Sequence, residues 1–529
     1  MTDGGEQQPA LVSAMLEPSL YPHSPKGVEL RETNTSWVFL AGDLAYKVKK
    51  VVSFPFLDYG TVERRHEMCR EEVRLNRRLA PRIYLRVVGI AREGDRYVLT
   101  GDDDSSAVEY AIEMMRVEEE RSLEALIRDA LLQPSDVDSV ARRLARFHAN
   151  AAVAPRRFQQ TRVLVESLEE NLRTLREAGD GILPASRLDA ARRFTQAFMA
   201  VNQGRLEARA QGGLVRECHG DLRAEHVIVP VDGEVYVYDC VEFNPDLRYI
   251  DVASDLSFLI MDLERLGADD VASRLLAEYR RLGGDLGGDP LVSFFASFRA
   301  WVRAKVACLT TREASQGDSE GARSESEARE LLRLGHRFAW SARVPSVLSI
   351  CGVAGSGKTT LADQLSAASG WPHVSSDLTR KQLASTPSTE RARPENYSSE
   401  FTERTYREMG KSARRVLEQG GGVIVDATFH RRDERDAFRA GLGDPATPML
   451  FVECRAPAET LTARVVTRAS EPDRVSDADM AIVERQLAEL EPLQEIPTRQ
   501  QIQLSTDAPV QDLLGEVEAF VDRLSWPAG

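Results

Sequence analysis

Apolar and polar positions follow different patterns along the first part of the chain. Between residues 28 and 115, short runs of alternating apolar and polar residues predict strands around a single helix over 63–79. From 121 to 340, apolar residues recur at helical spacing, and only the runs 227–230 and 235–238 are typical of strands. This part therefore predicts an α+β arrangement, strand-rich at first and mainly helical afterwards.

Beyond residue 346, apolar strand-like runs alternate with helical patterns. The runs cover 347–351, 374–375, 422–426, 449–453 and 502–505. Strands separated by helices pair in parallel, because each helix carries the chain back to the starting edge of the sheet. The alternation predicts a parallel-sheet α/β sandwich.

A chain of 529 residues is too long for one hydrophobic core, so we expect several domains. We place a loose lead-in at 1–27, a first domain at 28–343 and a second at 344–529, with Pro345 at the boundary. The polar stretch 312–330 is either a surface loop or the solvated edge of a helix.

Composition narrows the classes of protein to consider. No apolar stretch approaches the length of a membrane span, and the six cysteines form no C-x-x-C pair, so we expect a cytoplasmic protein with scattered buried thiols. The eight histidines show no metal-ligand spacing such as H-x-x-x-H. A net charge of −15 argues against a nucleic-acid partner.

The alternating segment contains a complete phosphate-binding loop. Residues 347–360 read VLSICGVAGSGKTT, with the G-x-x-x-x-G-K-S/T pattern between an apolar strand and a helix. In such a loop backbone N–H groups point at a polyphosphate, Lys358 reaches its β- and γ-phosphates, and Thr359 offers a hydroxyl to Mg²⁺. The predicted ATP site consists of Gly352, Gly355, Ser356, Gly357, Lys358, Thr359 and Thr360.

Two aspartates follow strands of the same domain. Asp426 ends the run 422–426, where a carboxylate matches the second motif of nucleotide sites and holds Mg²⁺. Asp377 follows the run 374–375, with Arg380 three residues further on. These features resemble the P-loop small-molecule kinases, which include gluconate kinase, zeta toxins and polynucleotide kinase. The resemblance implies that Asp377 faces the acceptor hydroxyl and that Arg380 holds the acceptor.

Arginines complete the predicted site of the second domain. Arg464 and Arg468 lie four residues apart on a predicted helix and share one face. In the resembling kinases this face, or the adjoining lid, neutralises the transferring phosphoryl group. A solvated helix face has the same spacing, so both interpretations stay open. Arg431, Arg432 and Arg435 are candidates for binding an anionic acceptor.

The first domain carries its own acidic constellation. Residues 219–226 read HGDLRAEH and 236–243 read YVYDCVEF. A carboxylate on a tight loop and a second one at the end of a later strand suit phosphoryl transfer, since one takes the acceptor proton and the other holds Mg²⁺. The motifs resemble the aminoglycoside phosphotransferase and choline kinase family, whose catalytic loop reads H-G-D-x-x-x-x-N. The resemblance covers roughly residues 30–310 and implies a bilobal, protein-kinase-like fold.

The resemblance implies a role for individual residues. Asp221 corresponds to the catalytic base and Asp239 to the metal carboxylate. Lys47 corresponds to the lysine that pairs the α- and β-phosphates, and Glu72 to the helix carboxylate that orients it. Residues 111–115 correspond to the strand that meets the adenine.

One position departs from this family, because His226 stands where the family has asparagine. Mg²⁺ prefers oxygen ligands, so an imidazole is a poorer ligand than an amide oxygen. Either the metal site at His226 is weakened, or Glu225 supplies the oxygen, or the domain binds nucleotide with little catalysis.

Further alternatives stay open for the first domain. Lys49 and Lys50 are near enough to the chosen lysine to be confused with it, and Asp221 is also typical of a residue that caps a turn. Asp251 and Asp255 match two acidic positions whose family role is more structural than chemical.

Two kinase-like modules lead to one main hypothesis, an ATP- and Mg²⁺-dependent phosphotransferase acting on a hydroxyl of a small molecule. The arrangement resembles bacterial fusions of a phosphotransferase-like domain with a P-loop kinase domain. The alternative is a P-loop kinase regulated by a catalytically weak, nucleotide- or ligand-sensing first module. Phosphorylation of nucleic-acid ends is disfavoured by the acidic net charge. The sequence predicts neither the acceptor nor the oligomeric state.

Overall fold

The computed structural model describes residues 4–54, 57–314, 319–343, 346–387, 390, 393–469 and 480–525. The chain divides into two compact units: Met1–Leu164 with Arg205–Gly287, and Val165–Gly204 with Gly288–Gly529. We call them the first and the second unit. Pro345 lies outside the described residues, and the spans 1–27, 28–343 and 344–529 stay predictions.

The first unit begins with an antiparallel sheet accompanied by helices α1 (Gly4–Met15) and α2 (Val62–Asn76). The strands are β1 (Val28–Glu32), β2 (Ser36–Ala41), β3 (Leu44–Lys49), β4 (Ser53–Phe54), β5 (Leu57–Asp58), β6 (Tyr84–Glu93), β7 (Arg96–Thr100) and β8 (Ala107–Met115). Six of them form one sheet in the order β1-β2-β3-β8-β6-β7, while β4 and β5 pair with each other.

Both faces of the six-stranded sheet are covered, and strand periodicity explains why. Phe39 packs into a cluster with α1, whereas its neighbour Leu40 packs into a cluster with α2. Successive side chains point to opposite faces of a strand, so β2 contributes to both clusters. The arrangement places α2, and with it Glu72, beside β3 and its lysines.

The next part of the chain is mainly helical, as the sequence predicts. Its helices are α3 (Leu123–Arg128), α4 (Pro134–Asn150), α5 (Thr161–Ala178), α6 (Ala185–Gln211), α7 (Val252–Arg265) and α8 (Asp269–Arg281). Its strands are β9 (Val215–Glu217), β10 (Val227–Ile228), β11 (Tyr236–Val237) and β12 (Tyr249–Asp251), which form the antiparallel pairs β9-β12 and β10-β11.

Two long helices of the second unit, α9 (Asp289–Glu313) and α10 (Ser319–Ala342), pack along each other. The polar stretch 312–330 therefore is not a surface loop from Ser319 onward. Gly321, Ser324 and Ala328 are buried there, because small side chains allow the two helices to approach closely. The loop interpretation is wrong for this part, whereas the helix interpretation agrees with the structure, since most residues of 319–330 are exposed and three are buried against α9.

The remainder of the second unit is a parallel α/β sandwich. Its strands are β13 (Val347–Cys351), β14 (His373–Ser375), β15 (Val423–Asp426), β16 (Met449–Arg455) and β17 (Gln501–Ser505), in the order β14-β15-β13-β16-β17. Its helices are α11 (Lys358–Ser369), α12 (Ser376–Leu383), α13 (Ser399–Leu417), α14 (Arg432–Leu442), α15 (Ala458–Ala469), α16 (Met480–Ala488) and α17 (Val510–Ser525).

Side chains of β13 alternate between two buried clusters. Leu348 and Ile350 pack with α11 and α17, whereas Val347 and Cys351 pack with α13 and α14. A parallel sheet covered by helices on both faces reads as a continuous apolar run, which is why these strands were predictable. The predicted fold class, a kinase-like α+β part and a P-loop α/β sandwich, is confirmed.

Two expectations from composition can be compared with the structure. All six cysteines are buried, and none of them forms a disulfide bond. Within the described ranges, no helix has both the length and the apolar character that a membrane crossing requires.

Candidate functional site

The phosphate-binding loop lies between β13 and the first residue of α11, and its glycines adopt backbone angles that other residues rarely take. The φ angles of Gly352, Gly355 and Gly357 are 141°, 79° and 84°. A Cβ atom on Gly352 would lie 2.5 Å from the carbonyl oxygen of Cys454. The turn therefore requires glycine, and it leads directly into the N-terminus of α11, the end of a helix where anions bind.

Polar side chains from several elements contact this loop. The Lys358 Nζ lies 3.4 Å from the carbonyl oxygen of Val353, so the lysine folds back over the loop. The Thr506 hydroxyl donates to the carbonyl oxygen of Ser356 at 2.8 Å. The backbone N–H of Ala354 donates to Gln486 Oε1 at 2.8 Å, which brings α16 against the loop.

Asp426 and Thr359 form the candidate metal centre of the second unit. Parallel pairing puts Asp426 opposite Ile350, next to the loop, and the Thr359 hydroxyl donates to Asp426 Oδ2 at 2.7 Å. Burial raises the pKa of the Asp426 carboxyl, but the neighbouring His373, Lys358 and Thr359 together keep it below its usual value. The carboxylate therefore stays ionised at neutral pH.

The donor set at Asp426 fits Mg²⁺. Its Oδ1 is buried, with no hydrogen-bond partner among the described residues, and the Thr359 hydroxyl is adjacent. A buried carboxylate oxygen without a partner is costly unless a cation or water satisfies it. Oxygen ligands of this kind are those Mg²⁺ prefers.

Arg464 lies against the phosphate loop. Its guanidinium donates to the Thr506 hydroxyl at 3.0 Å and to the Thr506 carbonyl oxygen at 2.7 Å, and its Nη1 lies 3.5 Å from the carbonyl oxygen of Gly355. These contacts show that the Arg464 side chain packs against the protein, so Arg464 does not belong to a helix face that is exposed only to solvent. The side chain of Arg468 lies outside the described residues.

Asp377 lies at the sheet edge that carries the metal candidate. It is the second residue of α12, directly after β14, and the last residue of β14 pairs with Asp426. Arg380 is buried and donates to the carbonyl oxygen of Asn396 at 2.7 Å. Arg380 therefore holds in place the segment before α13. This contact differs from the expected role, in which Arg380 binds the acceptor.

The three arginines after Asp426 do not form an open anion site, because each has a carboxylate partner. Arg435 is buried and binds Glu495 at 2.5 Å, while Arg431 and Arg432 pair with aspartates on their own helix turn. The expectation that they bind an anionic acceptor is not supported by these contacts.

In the first unit, two lysines share one carboxylate. The Lys47 Nζ lies 2.8 Å from Glu72 Oε1 and 2.8 Å from Asp239 Oδ1. The Lys49 Nζ lies 2.7 Å from Glu72 Oε2 and 2.5 Å from Glu242 Oε1. The two lysines are on the same face of β3, since they are two residues apart. Lys49 is 1% exposed and Lys47 is 17% exposed, so of the two Lys47 is the one open to a ligand.

Asp239 follows β11 in a strained backbone conformation, with a φ of 66°. Non-glycine residues with positive φ cluster at functional sites, where the surrounding structure holds them. Burial raises the pKa of the Asp239 carboxyl, but Lys47 and His226 outweigh it, and the pKa lies well below its usual value. Asp239 is therefore an ionised carboxylate beside the candidate phosphate lysine.

Two buried carboxylates hold the loop that carries Asp221, because they accept hydrogen bonds from its backbone. Asp255 accepts from the backbone N–H groups of His219 and Gly220 at 3.0 and 2.8 Å, and Asp262 accepts from the backbone N–H of Ala224 at 2.9 Å. These contacts agree with a structural role for Asp255. Burial lowers the pKa of His219 to about 4, so His219 is neutral inside the loop.

His226 lies among the charged side chains of this loop. Its Nδ1 is 2.9 Å from the carbonyl oxygen of Asp221, and its Nε2 is 3.8 Å from Asp239 Oδ2 and 3.9 Å from Glu225 Oε1. The Arg223 guanidinium donates to His226 Nε2 at 3.2 Å and to Asp221 Oδ2 at 3.1 Å. The structure thus brings Asp221, His226 and Asp239 together around Arg223.

Comparison with known proteins places the chain among relatives. It is 31% identical over 466 residues to the uncharacterized protein Rv2004c of Mycobacterium tuberculosis, covering 87% of this chain and 90% of the relative. An uncharacterized protein of Mycobacterium bovis, Mb2027c, matches over the same shares. The chain belongs to the Rv2004c family. A family model described as an AAA domain also matches residues 347–493 of this family member.

Solved structures resemble one part or the other of this Rv2004c family member. A choline/ethanolamine kinase family protein from Mesorhizobium loti covers 62% of this chain and 99% of its own, at 13% identity and a TM-score of 0.36. A gluconokinase from Sinorhizobium meliloti covers 35% and 95%, at 20% identity and a TM-score of 0.27. The AAA-domain match covers the part of the chain that carries the phosphate loop, in agreement with the predicted P-loop domain.

Several site residues of this Rv2004c family member were missed by sequence reasoning. They are Arg223, Glu242, His373, Gln486 and Thr506, whereas Lys49 was named only as an alternative to Lys47. Arg223 and Glu242 left a signal, since both lie inside the two motifs of the first domain. Gln486 and Thr506 come from distant elements and left none.

Proposed function

We propose that this protein is an ATP- and Mg²⁺-dependent phosphotransferase that transfers the γ-phosphoryl group to a hydroxyl of a small molecule. The second unit supports this most strongly. One observation carries the proposal: four side chains lie at the same glycine-rich loop. They are Lys358, Thr359, Asp426 and Arg464. This set supplies an anion cradle, a cation site and two positive side chains.

Each group has a distinct task in the proposed reaction. The loop N–H groups and the start of α11 bind the phosphates, while Lys358 and Arg464 neutralise the charge that develops on the transferring group. Thr359 and Asp426 would hold Mg²⁺, which supplies further neutralisation of the phosphates when bound.

Asp377 would act on the acceptor. The acceptor oxygen gives its proton to the Asp377 carboxylate and bonds to the γ-phosphorus, while the bond from that phosphorus to the bridging oxygen breaks and ADP leaves. Asp377 suits this task because it follows β14 at the edge where Asp426 lies. We propose a small, non-nucleic-acid acceptor, on the basis of the net charge of −15, and a cytoplasmic protein.

A second candidate function, a regulatory first unit, has support of its own. Arg223 pairs with Asp221, the candidate base, and His226 occupies the position of the family amide. A base held by a guanidinium is a weaker proton acceptor, since the positive charge favours its ionised form. A nucleotide-sensing unit with little turnover would show these features.

The test is a transfer assay with the full chain in the Asp239→Asn background, which weakens the first site. ATP consumption is screened against sugars, nucleosides, amino alcohols and aminoglycosides, and the product is identified by mass spectrometry. We expect Lys358→Ala to lower transfer by about 10³-fold. Lys411→Ala, an exposed lysine of α13, is the matched control and should keep full transfer. A folded Lys358→Ala variant with undiminished transfer would refute the proposed site.

A further inference from the structure

A guanidinium is enclosed by acidic groups at the candidate site of the first unit. Arg223 bonds to Asp221 at 3.1 Å, pairs with Glu225, and donates to His226 Nε2 at 3.2 Å, with a side chain that is only 17% exposed. Burial lowers the pKa of the Arg223 guanidinium, but Asp221, Glu225, Asp262 and Asp239 together raise it above its usual value. The cluster therefore attracts a cation, and in this structure the guanidinium is that cation.

The contacts of His226 determine which nitrogen is available as a ligand. A carbonyl oxygen can only accept, so the contact of 2.9 Å to the carbonyl oxygen of Asp221 requires a hydrogen on Nδ1. Nε2 then carries a lone pair, which Arg223 now occupies as a donor. A backbone carbonyl that fixes Nδ1–H in this way is the usual partner of a metal-binding histidine.

The position of Nε2 suits a metal shared with Asp239. Nε2 lies 3.8 Å from Asp239 Oδ2, while Asp239 Oδ1 is already bound by Lys47. Two ligand atoms that each bind one divalent ion at about 2.1 Å lie roughly 3–4 Å apart. His226 and Asp239 can therefore bind one ion with little rearrangement beyond the departure of Arg223 from Nε2.

We propose that the first unit binds Mn²⁺ in preference to Mg²⁺, through His226 Nε2 and Asp239 Oδ2. Mg²⁺ is bound almost entirely by oxygen, whereas Mn²⁺ accepts the same carboxylate and phosphate oxygens together with an imidazole nitrogen. Arg223 would leave Nε2 and keep its carboxylate partners Asp221 and Glu225. The proposal concerns a different site from the P-loop chemistry and does not depend on turnover, so the two can fail separately.

The test is electron spin-echo spectroscopy of Mn²⁺ bound to the full chain, with inorganic tripolyphosphate as a nitrogen-free phosphate and a nitrogen-free buffer. Each unit offers one histidine beside a metal carboxylate, because His373 Nε2 lies 3.7 Å from Asp426 Oδ2. His373→Asn is therefore the matched control. We expect a directly bound nitrogen in the wild type and in His373→Asn, and its loss in His226→Asn. The ratio of Mn²⁺ to Mg²⁺ affinity should fall about 10-fold in His226→Asn.

The opposite results would overturn the proposal. These are the absence of a bound nitrogen in the wild type, its survival in folded His226→Asn, or its loss in His373→Asn alone. If His226→Asn fails to fold, the His373→Asn variant labelled with ¹⁵N-histidine provides the test. The coupling between Mn²⁺ and the bound nitrogen must then change from the ¹⁴N to the ¹⁵N pattern, and an unchanged spectrum contradicts a histidine ligand.

Discussion

The two candidate sites differ in how their positive charges are held. In the first unit Lys47 is bound by two carboxylates, Glu72 and Asp239, and Arg223 is enclosed by acidic groups. In the second unit Lys358 contacts a backbone carbonyl oxygen, and Arg464 binds the Thr506 hydroxyl and carbonyl, with Asp507 Oδ1 3.9 Å from its Nη2. A phosphate thus meets a lysine without a bound carboxylate in the second unit, whereas in the first it must compete with the protein's own carboxylates. The candidate phosphate lysine of the second unit is therefore less neutralised by the protein before a ligand arrives than that of the first unit.

We expect the largest effect from a substitution that breaks the charge network of the first unit. Glu72→Gln removes the carboxylate that two lysines share, so that Lys47 keeps Asp239 and Lys49 keeps Glu242 as the remaining partner. Because a buried ion-pair network then loses one of its charges, we expect the fold to be destabilised by about 3–5 kcal/mol. Glu67→Gln, on the exposed side of the same helix, is the control and should change stability little. Urea unfolding followed by circular dichroism measures the difference, and equal stabilities would show that the network contributes nothing.

A somewhat smaller effect tests the second unit. Asp377→Asn should lower kcat by about 10²-fold while ATP affinity stays nearly constant, because an amide cannot take the acceptor proton. Steady-state kinetics and calorimetric titration with ATP separate the two quantities. A loss of ATP affinity as large as the loss of kcat would instead assign Asp377 to the metal site or to the fold.

Substitutions of the two acidic residues of the first site, Asp221 and Asp239, should have different effects on nucleotide binding. In the full chain with Lys358→Ala, Asp239→Asn should weaken metal–nucleotide binding about 10-fold, since it removes a metal oxygen. Asp221→Asn should leave binding within roughly a factor of two, because a base affects turnover rather than affinity. Calorimetry at millimolar nucleotide decides the matter. If the chain with Lys358→Ala binds no nucleotide at all, the first unit is neither an enzyme nor a nucleotide sensor.

The smallest effect is a dependence of stability on pH. His219 is neutral when folded, with its pKa lowered to about 4, whereas an unfolded histidine takes up a proton near pH 6.5. The unfolded state therefore binds more protons below pH 6.5, and stability falls as the pH drops from about 6.5 towards 4. His219→Gln should lose part of this dependence, whereas the half-buried His66→Gln should retain it. Melting temperatures at pH 7.5 and pH 5 measure the change, and identical slopes in all three proteins would contradict it.

The sequence predicted what depends on local pattern. The strands of the parallel sheet were expected within two residues of their observed ends, since continuous apolar runs between helices leave little choice. The phosphate loop was readable because its chemistry lies within one short segment. Burial of Gly321 and its neighbours in α10 was not readable, because their small side chains carry no apolar signal.

Contacts between distant segments could not be predicted in the same way. Gln486 reaches Ala354 across 132 positions, and Thr506 reaches Ser356 across 150. The sequence also left three explanations for His226 open, because its ligand nitrogen is determined by the Asp221 carbonyl and by Arg223. Such relationships exist only once the chain is folded.

The shared carboxylate of Glu72 also constrains how this protein can evolve. Glu72 contacts both Lys47 and Lys49, and each lysine has a second carboxylate partner, Asp239 for Lys47 and Glu242 for Lys49. Loss of any one member therefore alters the environment of the others, and replacing Lys49 alone would leave the buried Glu242 without its lysine. The five positions should therefore covary among homologues as a set.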